Sequence, residues 1–414
     1  MKIPKWRIRN KNFLTLSFFL VIISLENFSW LIPSGQYIIS GILKFSDIGV
    51  LLAIVWIFYV LFGIRTKQKI RYSKFPALFV GIILISSIAA YHFFGQGFGL
   101  SLRQNRYIIV SMLLYYAIVK AMKTNMLLRD DVVSILAFQA VAEIMLFTLQ
   151  YILSDTFIFI YTNIDSRYGT ARLRVSYLLP LIFMYFCIDK ILNNKYKIIN
   201  LLLSVGSAFV LFGICKHRAP SIIMLVTFVA AYFLWRRRFS TKLLVGTLTV
   251  VVAVAFMTNS SLVQDSLASI FSKEQERNLT IRYVGQAYYL ERLAESPIIG
   301  FGEPNENCNA AQMASGYFLN YFLADNGIFG FFYTHGIMGL TWLLFFWIKL
   351  FKESHELFKK KHMYQYILYI LYETGNLYMG MHWYYYYAMP FVLCVALMDY
   401  DYSEAIEEST YLFE

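Results

Sequence analysis

Phe45–Ile64 reads FSDIGVLLAIVWIFYVLFGI, an unbroken apolar run whose one charge, Asp47, falls near its start. A membrane-crossing helix needs about 20 mostly apolar residues, and this run supplies them. Similar runs recur along the chain. They predict about twelve helices, at 13–31, 45–64, 75–94, 106–122, 132–153, 175–192, 198–215, 219–235, 243–258, 327–348, 364–380 and 383–399. Composition agrees. Of 414 residues, 58% are hydrophobic, 18% aromatic and 15% charged, whereas soluble domains carry about a quarter charged residues. So few charges cannot coat a water-soluble protein of this length. The expected fold class is an all-α polytopic membrane protein.

Net charge is +12, which in a soluble protein raises nucleic acid as a partner. Here the basic residues sit in short blocks between apolar runs, so no nucleic acid partner is expected and the blocks report topology. Lys2 to Lys11, Arg65 to Lys74, Lys120 to Arg129, Lys190 to Lys197, Arg236 to Lys242 and Lys349 to Lys361 hold most of the 37 Lys and Arg. Short loops rich in these residues stay cytoplasmic, which places both termini inside. The first helix has a basic leader, a long apolar stretch and no small-residue cleavage site, and reads as a retained signal anchor.

The chain divides into a membrane bundle over 1–258, an extracytoplasmic loop with an amphipathic helix over 259–326, C-terminal membrane helices over 327–399, and an acidic, solvated cytoplasmic tail over 400–414. Of the cysteines, Cys187 and Cys394 lie in apolar runs and none has metal-ligand spacing. Cys215 and Cys308 both fall on the outer side, where unpaired thiols are preferred to a disulfide.

The other basic residues face outward: Lys44, Arg103, Arg106, Arg167, Arg172, Arg174, Lys216, Arg218, Lys273, Arg277, Arg282 and Arg292. Positive charge on that side runs against the topological bias, so it calls for another use. Asp165-Ser-Arg-Tyr-Gly-Thr-Ala-Arg-Leu-Arg174 places three arginines just before a helix. Its bland reading is snorkelling at the interface; its functional reading is a phosphate clamp, for which the guanidinium fork is suited. Cys215-Lys-His-Arg-Ala-Pro-Ser221 is a tight turn that keeps Arg218 near the membrane surface, where a charge is costly unless paired.

The longest polar stretch holds Arg282-Tyr-Val-Gly-Gln-Ala-Tyr-Tyr-Leu-Glu-Arg-Leu-Ala-Glu-Ser-Pro-Ile-Ile-Gly-Phe-Gly302. Asn278 marks a helix start and Ser296-Pro297 its end. Ile281, Val284 and Tyr288 form one stripe, extended by Arg292; Arg282, Gln286, Tyr289 and Leu293 form the opposite one. Arg282 and Arg292 point roughly 80° apart. Glu303 and Glu306 follow a glycine-hinged turn. Asp325 then stands at the mouth of the tenth helix, as a cap or a base, and His335 lies two turns deeper. Glu26 and Glu143 are intramembrane carboxylates whose simplest role is to pair with an arginine or accept from backbone groups. Glu373 and His382 share that ambiguity. Tyr384 to Tyr387 fit an interfacial aromatic belt or a sugar path.

Four of these pieces resemble, in order, the bacterial O-antigen ligase and polymerase superfamily of membrane glycosyltransferases. Arg167-Tyr-Gly-Thr is similar to that family's outer-loop arginine segment, and Lys216-His-Arg218 to its Ser-Arg-Gly turn. Arg282 to Gly302 resembles its Arg-helix-Pro-x-x-Gly-x-Gly block, and Asp325-Asn-Gly to Leu340 its closing glycine helix. The ligases' His-Asn or His-Ser pair is missing from Ala314-Ser-Gly-Tyr-Phe-Leu319, as is the Pro-Asn after the first arginine motif. Both absences favour a repeat-unit polymerase.

The resemblance implies a GT-C-like membrane bundle in the bacterial cytoplasmic membrane, acting on a polyprenyl-diphosphate-linked oligosaccharide drawn from the membrane lipid phase. It implies no cofactor and no metal, with a chain-length regulator and a flippase as protein partners. Transfer would invert the anomeric carbon and pass the glycan to a hydroxyl of the next lipid-linked repeat unit. The leaving diphosphate gathers charge that fixed guanidinium groups stabilise: Arg218 and Arg282 foremost, with Arg167, Arg172 and Arg292 in support. Asp325 or His335 would take the hydroxyl proton. The rivals are a ligase of the same superfamily, a glycan flippase and a non-catalytic scaffold. A flippase of alternating-access design carries internal repeats, and none is visible here.

Overall fold

A computed structural model describes residues 11–33, 37–39, 43–64, 70–167, 170–195, 197–235, 273–385 and 388–411. Helices are α1 (Lys11–Leu25), α2 (Ser46–Gly63), α3 (Lys74–Phe94), α4 (Phe98–Lys123), α5 (Arg129–Ile152), α6 (Leu178–Leu192), α7 (Lys197–Phe209, extended by a π-turn over Val210–Ile214) and α8 (Arg218–Leu234). After the undescribed stretch come α9 (Lys273–Leu293), α10 (Asn309–Ala314), α11 (Gly327–Lys361), α12 (Tyr364–Met379), α13 (His382–Tyr385) and α14 (Ala388–Tyr411). Among the described residues the strands are two antiparallel hairpins, β1 (Tyr37–Ile39) with β2 (Leu43–Lys44) and β3 (Ile164–Arg167) with β4 (Thr170–Leu173).

Ser46–Gly63, Lys74–Phe94, Arg129–Ile152 and Leu323–Lys361 are long and apolar enough to cross a membrane. Their outward faces carry Val55, Phe62, Leu78, Ile88, Phe138 and Leu344, all exposed. Water would penalise so much bare apolar surface; lipid does not. α6 differs. Leu178 to Cys187 is buried on every side, as befits a helix at the centre of a bundle. α1 and α2 close on one another because Gly49 has no side chain: a Cβ there would lie 2.6 Å from the Ser24 carbonyl oxygen.

Several expected boundaries move. The span 243–258 lies outside the described residues, as does the whole Arg236 to Lys242 block. The first helix stops at Leu25 instead of 31, because Asn27, Phe28, Ser29 and Trp30 all take positive φ. Left-handed turns cost L-residues about 1–2 kcal/mol each. Here Gln139 Nε2 donates to Ser29 Oγ at 2.8 Å and Tyr161 N to the Trp30 carbonyl at 2.8 Å. The expected 106–122 helix begins earlier, at Phe98, and the expected 383–399 helix is described as α13 and α14 on either side of residues 386 and 387, which lie outside the described residues, and runs on to Tyr411.

The expected 327–348 helix runs on to Lys361 and is broken inside. Gly336 sits at φ 60°, ψ −162°, and the chain from Pro297 to Gly302 lies along the break. Phe301 N donates to Tyr333 O at 3.0 Å and Gly302 N to Thr334 O at 2.9 Å. In return Ile337 N donates to Pro297 O at 2.8 Å and Met338 N to Ile298 O at 3.1 Å. Irregular backbone at membrane depth survives only where protein satisfies it, and this ribbon does so. The approach requires glycine on both sides. A Cβ on Gly300 would meet the Thr334 oxygen at 2.5 Å, and one on Gly336 the Ile298 carbonyl carbon at 2.5 Å. Gly336→Ala is therefore expected to cost about 3 kcal/mol, from strain at positive φ and overpacking. A lowered thermal midpoint of the detergent-solubilised protein is the measurement; an unchanged midpoint would contradict the splice.

At the opposite end of the bundle, buried charges tie five helices and the turn before α3 together. Arg129 Nε and Nη2 reach Asp401 at 2.5 and 2.8 Å, and Tyr366 donates to the same carboxylate at 2.5 Å. Lys123 lies 3.2 Å from Asp399, which also accepts from Tyr115. Arg71 lies 3.3 Å from Glu353, which accepts from Tyr72. Asp399 and Asp401 are 0% and 4% exposed. The acidic C-terminal stretch was expected to be a solvated tail. Its first turns are instead a packed, ion-paired continuation of α14, because basic groups on the ends of α4 and α5 are there to neutralise it.

Candidate functional site

The sequence-predicted residues gather at the end of the bundle where α3, α5, α9 and α12 terminate and α4, α6, α8, α11 and α14 begin. In the β3–β4 hairpin Arg167 is cross-strand partner of Thr170. Arg172 donates through Nε to the Cys215 carbonyl at 2.9 Å and lies 3.9 Å from Asp165. Arg174 holds Asp165 at 2.7 Å. The hairpin thus sits on the turn that carries Lys216, His217 and Arg218. Arg218 opens α8 and is half-buried.

Next to Arg218, the His217 ring lies 5.2 Å from Tyr177 and 6.0 Å from His382. His382 belongs to α13, the short helix in the break between α12 and α14. Burial holds its imidazole low, at about 4, and the Arg282 charge presses in the same direction. Arg282 in turn lies 3.9 Å from Asp325. The turn at 216–218 thus approaches His382 through the His217 ring, and the Arg282 charge acts on the same imidazole.

Of the two α9 stripes, the one with Tyr289 and Leu293 packs inward. Gly285, Tyr289 and Leu293 are buried, whereas Val284 is 46% exposed. The helix also starts at Lys273 instead of Asn278. Tyr289 donates to Tyr321 O at 2.7 Å and Ser315 O at 3.1 Å, which rotates its stripe inward and leaves Arg282 and Arg292 on the flanks. Arg292 pairs with Glu295, just past the end of its helix, at 3.5 Å and overhangs the Phe301 ring at 5.8 Å. It fastens α9 to the ribbon more than it faces a ligand. Asp325 is in a 3-10 turn, Leu323–Asn326; Asn326 occupies the cap position of α11 and makes no side-chain capping bond. The expected cap is absent, and Asp325 answers Arg282 instead.

His335 is 1% exposed with both ring nitrogens engaged, Nδ1 to Ser86 Oγ at 3.0 Å and Nε2 to Tyr384 at 2.7 Å. It cannot touch a substrate directly. Tyr384, expected in an aromatic belt, is 7% exposed and reaches Glu303 Oε2 at 3.3 Å. Burial lifts the Glu303 carboxyl to about 7, with hydrogen bonds from Tyr384 and Thr334 acting the other way. Tyr289 is raised by burial and then by its neighbours, among them Glu303 and Asp325.

Among the described residues, six of the cations expected on the outer side have acidic partners: Lys44 with Glu306 at 3.2 Å and Arg106 with Asp47 at 2.7 Å, besides Arg172, Arg174, Arg282 and Arg292. Part of this charge is therefore structural. Glu26 and Glu143 were expected to pair with an arginine or accept from backbone groups; among the described residues neither forms an ion pair, and Glu143 accepts from the Gln139 side-chain amide at 2.9 Å. Glu373 is fully buried on α12. The cysteines are free; Cys215 donates to Val175 O and Cys308 to Phe94 O.

Sequence reasoning passed over Glu303 as a functional residue and left His382 ambiguous. The available signal was position: Glu303 follows directly on the second glycine of a turn that has to dock against a helix. No protein-family model matches this chain, and no curated protein matches it.

Proposed function

We propose that this chain is a membrane glycosyltransferase that polymerises lipid-linked oligosaccharide repeat units. It would work at the outer face of a bacterial cytoplasmic membrane, with about twelve spans and both termini inside. The donor diphosphate lies between Arg218 and Arg282, with the β3–β4 hairpin closing one side through Arg172. The supporting observation is that the β3–β4 hairpin rests, through Arg172 and the Cys215 carbonyl, on the turn that carries Arg218, while His217 of that turn lies 6.0 Å from His382, whose imidazole feels the Arg282 charge. Arg282 suits the task because its link to Asp325, at 3.9 Å, is too long for a hydrogen bond. Its donors remain open to a phosphate oxygen. Charge accumulating on the leaving diphosphate is met by groups already in place, so little reorganisation is needed during transfer.

The test is reconstitution. Purified protein given a defined polyprenyl-diphosphate repeat unit, with no added metal or nucleotide sugar, is expected to yield a ladder of products. No ladder, with transfer instead to a lipid A core acceptor, would make it a ligase. Movement of intact substrate across vesicles without bond formation would make it a flippase.

A further inference from the structure

We infer that Glu303 takes the acceptor-hydroxyl proton, and that Tyr384, His335 and Ser86 form a hydrogen-bonded chain behind it that holds its carboxylate in place and registers its protonation. This rests on the glycosyl-transfer reading above. The chain crosses four parts of the fold. Glu303 Oε2 lies 3.3 Å from Tyr384 OH on α13, and Tyr384 lies 2.7 Å from Nε2 of His335 on α11. Nδ1 of His335 then lies 3.0 Å from Ser86 Oγ on α3, and Ser86 lies 3.1 Å from the Ile299 carbonyl. Ser86 and His335 are each 1% exposed and Tyr384 7%. Glu303 is half-buried, the one member with an accessible edge.

Counting protons gives the chain two complete arrangements. If Ser86 donates to Ile299 O, its oxygen can only accept, so His335 presents Nδ1–H to it and Nε2 accepts from Tyr384. Tyr384 then has no proton for Glu303, and their contact is a hydrogen bond only if Glu303 is protonated and donates. If Ser86 donates to Nδ1 instead, His335 carries its proton on Nε2 and donates to the Tyr384 oxygen. Tyr384 then donates to an ionised Glu303. The two arrangements differ by one proton on Glu303 and by the His335 tautomer.

A base must exchange one proton and be held in both states, and this chain does so. Asp325 is a poorer candidate, being half-exposed and already opposite Arg282. In the transfer step the acceptor oxygen bonds to the anomeric carbon as that carbon's bond to the diphosphate oxygen breaks. The electron pair leaves with the diphosphate, and the hydroxyl proton passes to Glu303. Glu303 is faced by Tyr384 from α13, by the Thr334 hydroxyl from α11 and, through Tyr384, by His335 from α11; its charge also acts on Tyr289 of α9, while Arg282 stands opposite Asp325 and Arg292 over Phe301. A carboxyl titrating at about 7 suits a base working near neutrality.

The experiment combines transfer with spectroscopy on the full-length protein in detergent. Transfer by the wild type is expected to fall as pH drops through about 7, and Glu303→Gln to lose about 10²–10⁴-fold in rate while keeping a normal gel-filtration profile. Infrared difference titration should show a protonated-carboxyl band that Glu303→Gln removes. The nitrogen shifts of His335 should switch tautomer at the same midpoint, and Tyr384→Phe should uncouple them. Glu303→Gln at the wild-type rate, or a wild-type rate flat between about pH 6 and 8, overturns the base role and leaves the polymerase intact. Tautomer switching without any glycosyl transfer by the wild type overturns the polymerase, and the base role with it. A His335 signal indifferent to Glu303 overturns the chain.

Discussion

Arg282→Ala is expected to abolish polymer formation, with transfer by the purified protein falling about 10²–10³-fold, the usual cost of losing one fixed donor to developing charge. The loss should be catalytic and not structural. Arg282 is 34% exposed, its partner Asp325 is 50% exposed, and their 3.9 Å link is of the kind worth about 1 kcal/mol or less. Removing the guanidinium strands no buried charge, so insertion and thermal midpoint should be unchanged. Arg218→Ala should give the same phenotype from the other side of His382. Arg282→Lys is informative as well: it keeps a charge but forfeits the planar fork, so partial activity is expected. Chains of normal length from both alanine variants would remove the mechanism.

Asp401→Ala should do the opposite, damaging stability and sparing chemistry. Asp401 accepts from Arg129 at 2.5 and 2.8 Å and from Tyr366 at 2.5 Å, while only 4% exposed. Taking one partner from a buried pair leaves the other uncompensated, which costs about 3–5 kcal/mol. The thermal midpoint in detergent should fall sharply, while the rate per folded molecule stays near wild type, because the pair lies at the far end of the bundle from Arg282. The Arg129→Ala/Asp401→Ala double variant should be less damaged than the two single losses added together, since the charges form one unit. Additive losses would show that the carboxylate and guanidinium act separately.

The helices were legible because apolar runs of span length carry their own signal, and α2, α3 and α12 begin and end within a residue or so of where Phe45–Ile64 and its counterparts place them. What the sequence concealed depends on distant partners. Asp401 meets Arg129 across 272 residues, so a local reading sees only an acidic tail. The break at Gly336 depends on a ribbon arriving from Pro297. On α9 the apolar stripe through Val284 is plain in sequence, yet the tyrosine hydroxyl of Tyr289 finds backbone carbonyls, and those bonds set the buried face. The arginines of the candidate site were legible because they fall outside the basic blocks that the charge pattern assigns to the inside. Glu303 was not, because nothing local distinguishes a glutamate backed by Tyr384 and His335 from one in solvent.

The interlocked backbones around Gly336 bear on how this protein tolerates change. Two glycines far apart in the chain answer to one steric demand, so bulk at either should already spoil the fit that the other protects. A second substitution then has little left to break. Gly300→Ala and Gly336→Ala should therefore be strongly epistatic, and a route between sequences that alters one position opens the other to drift.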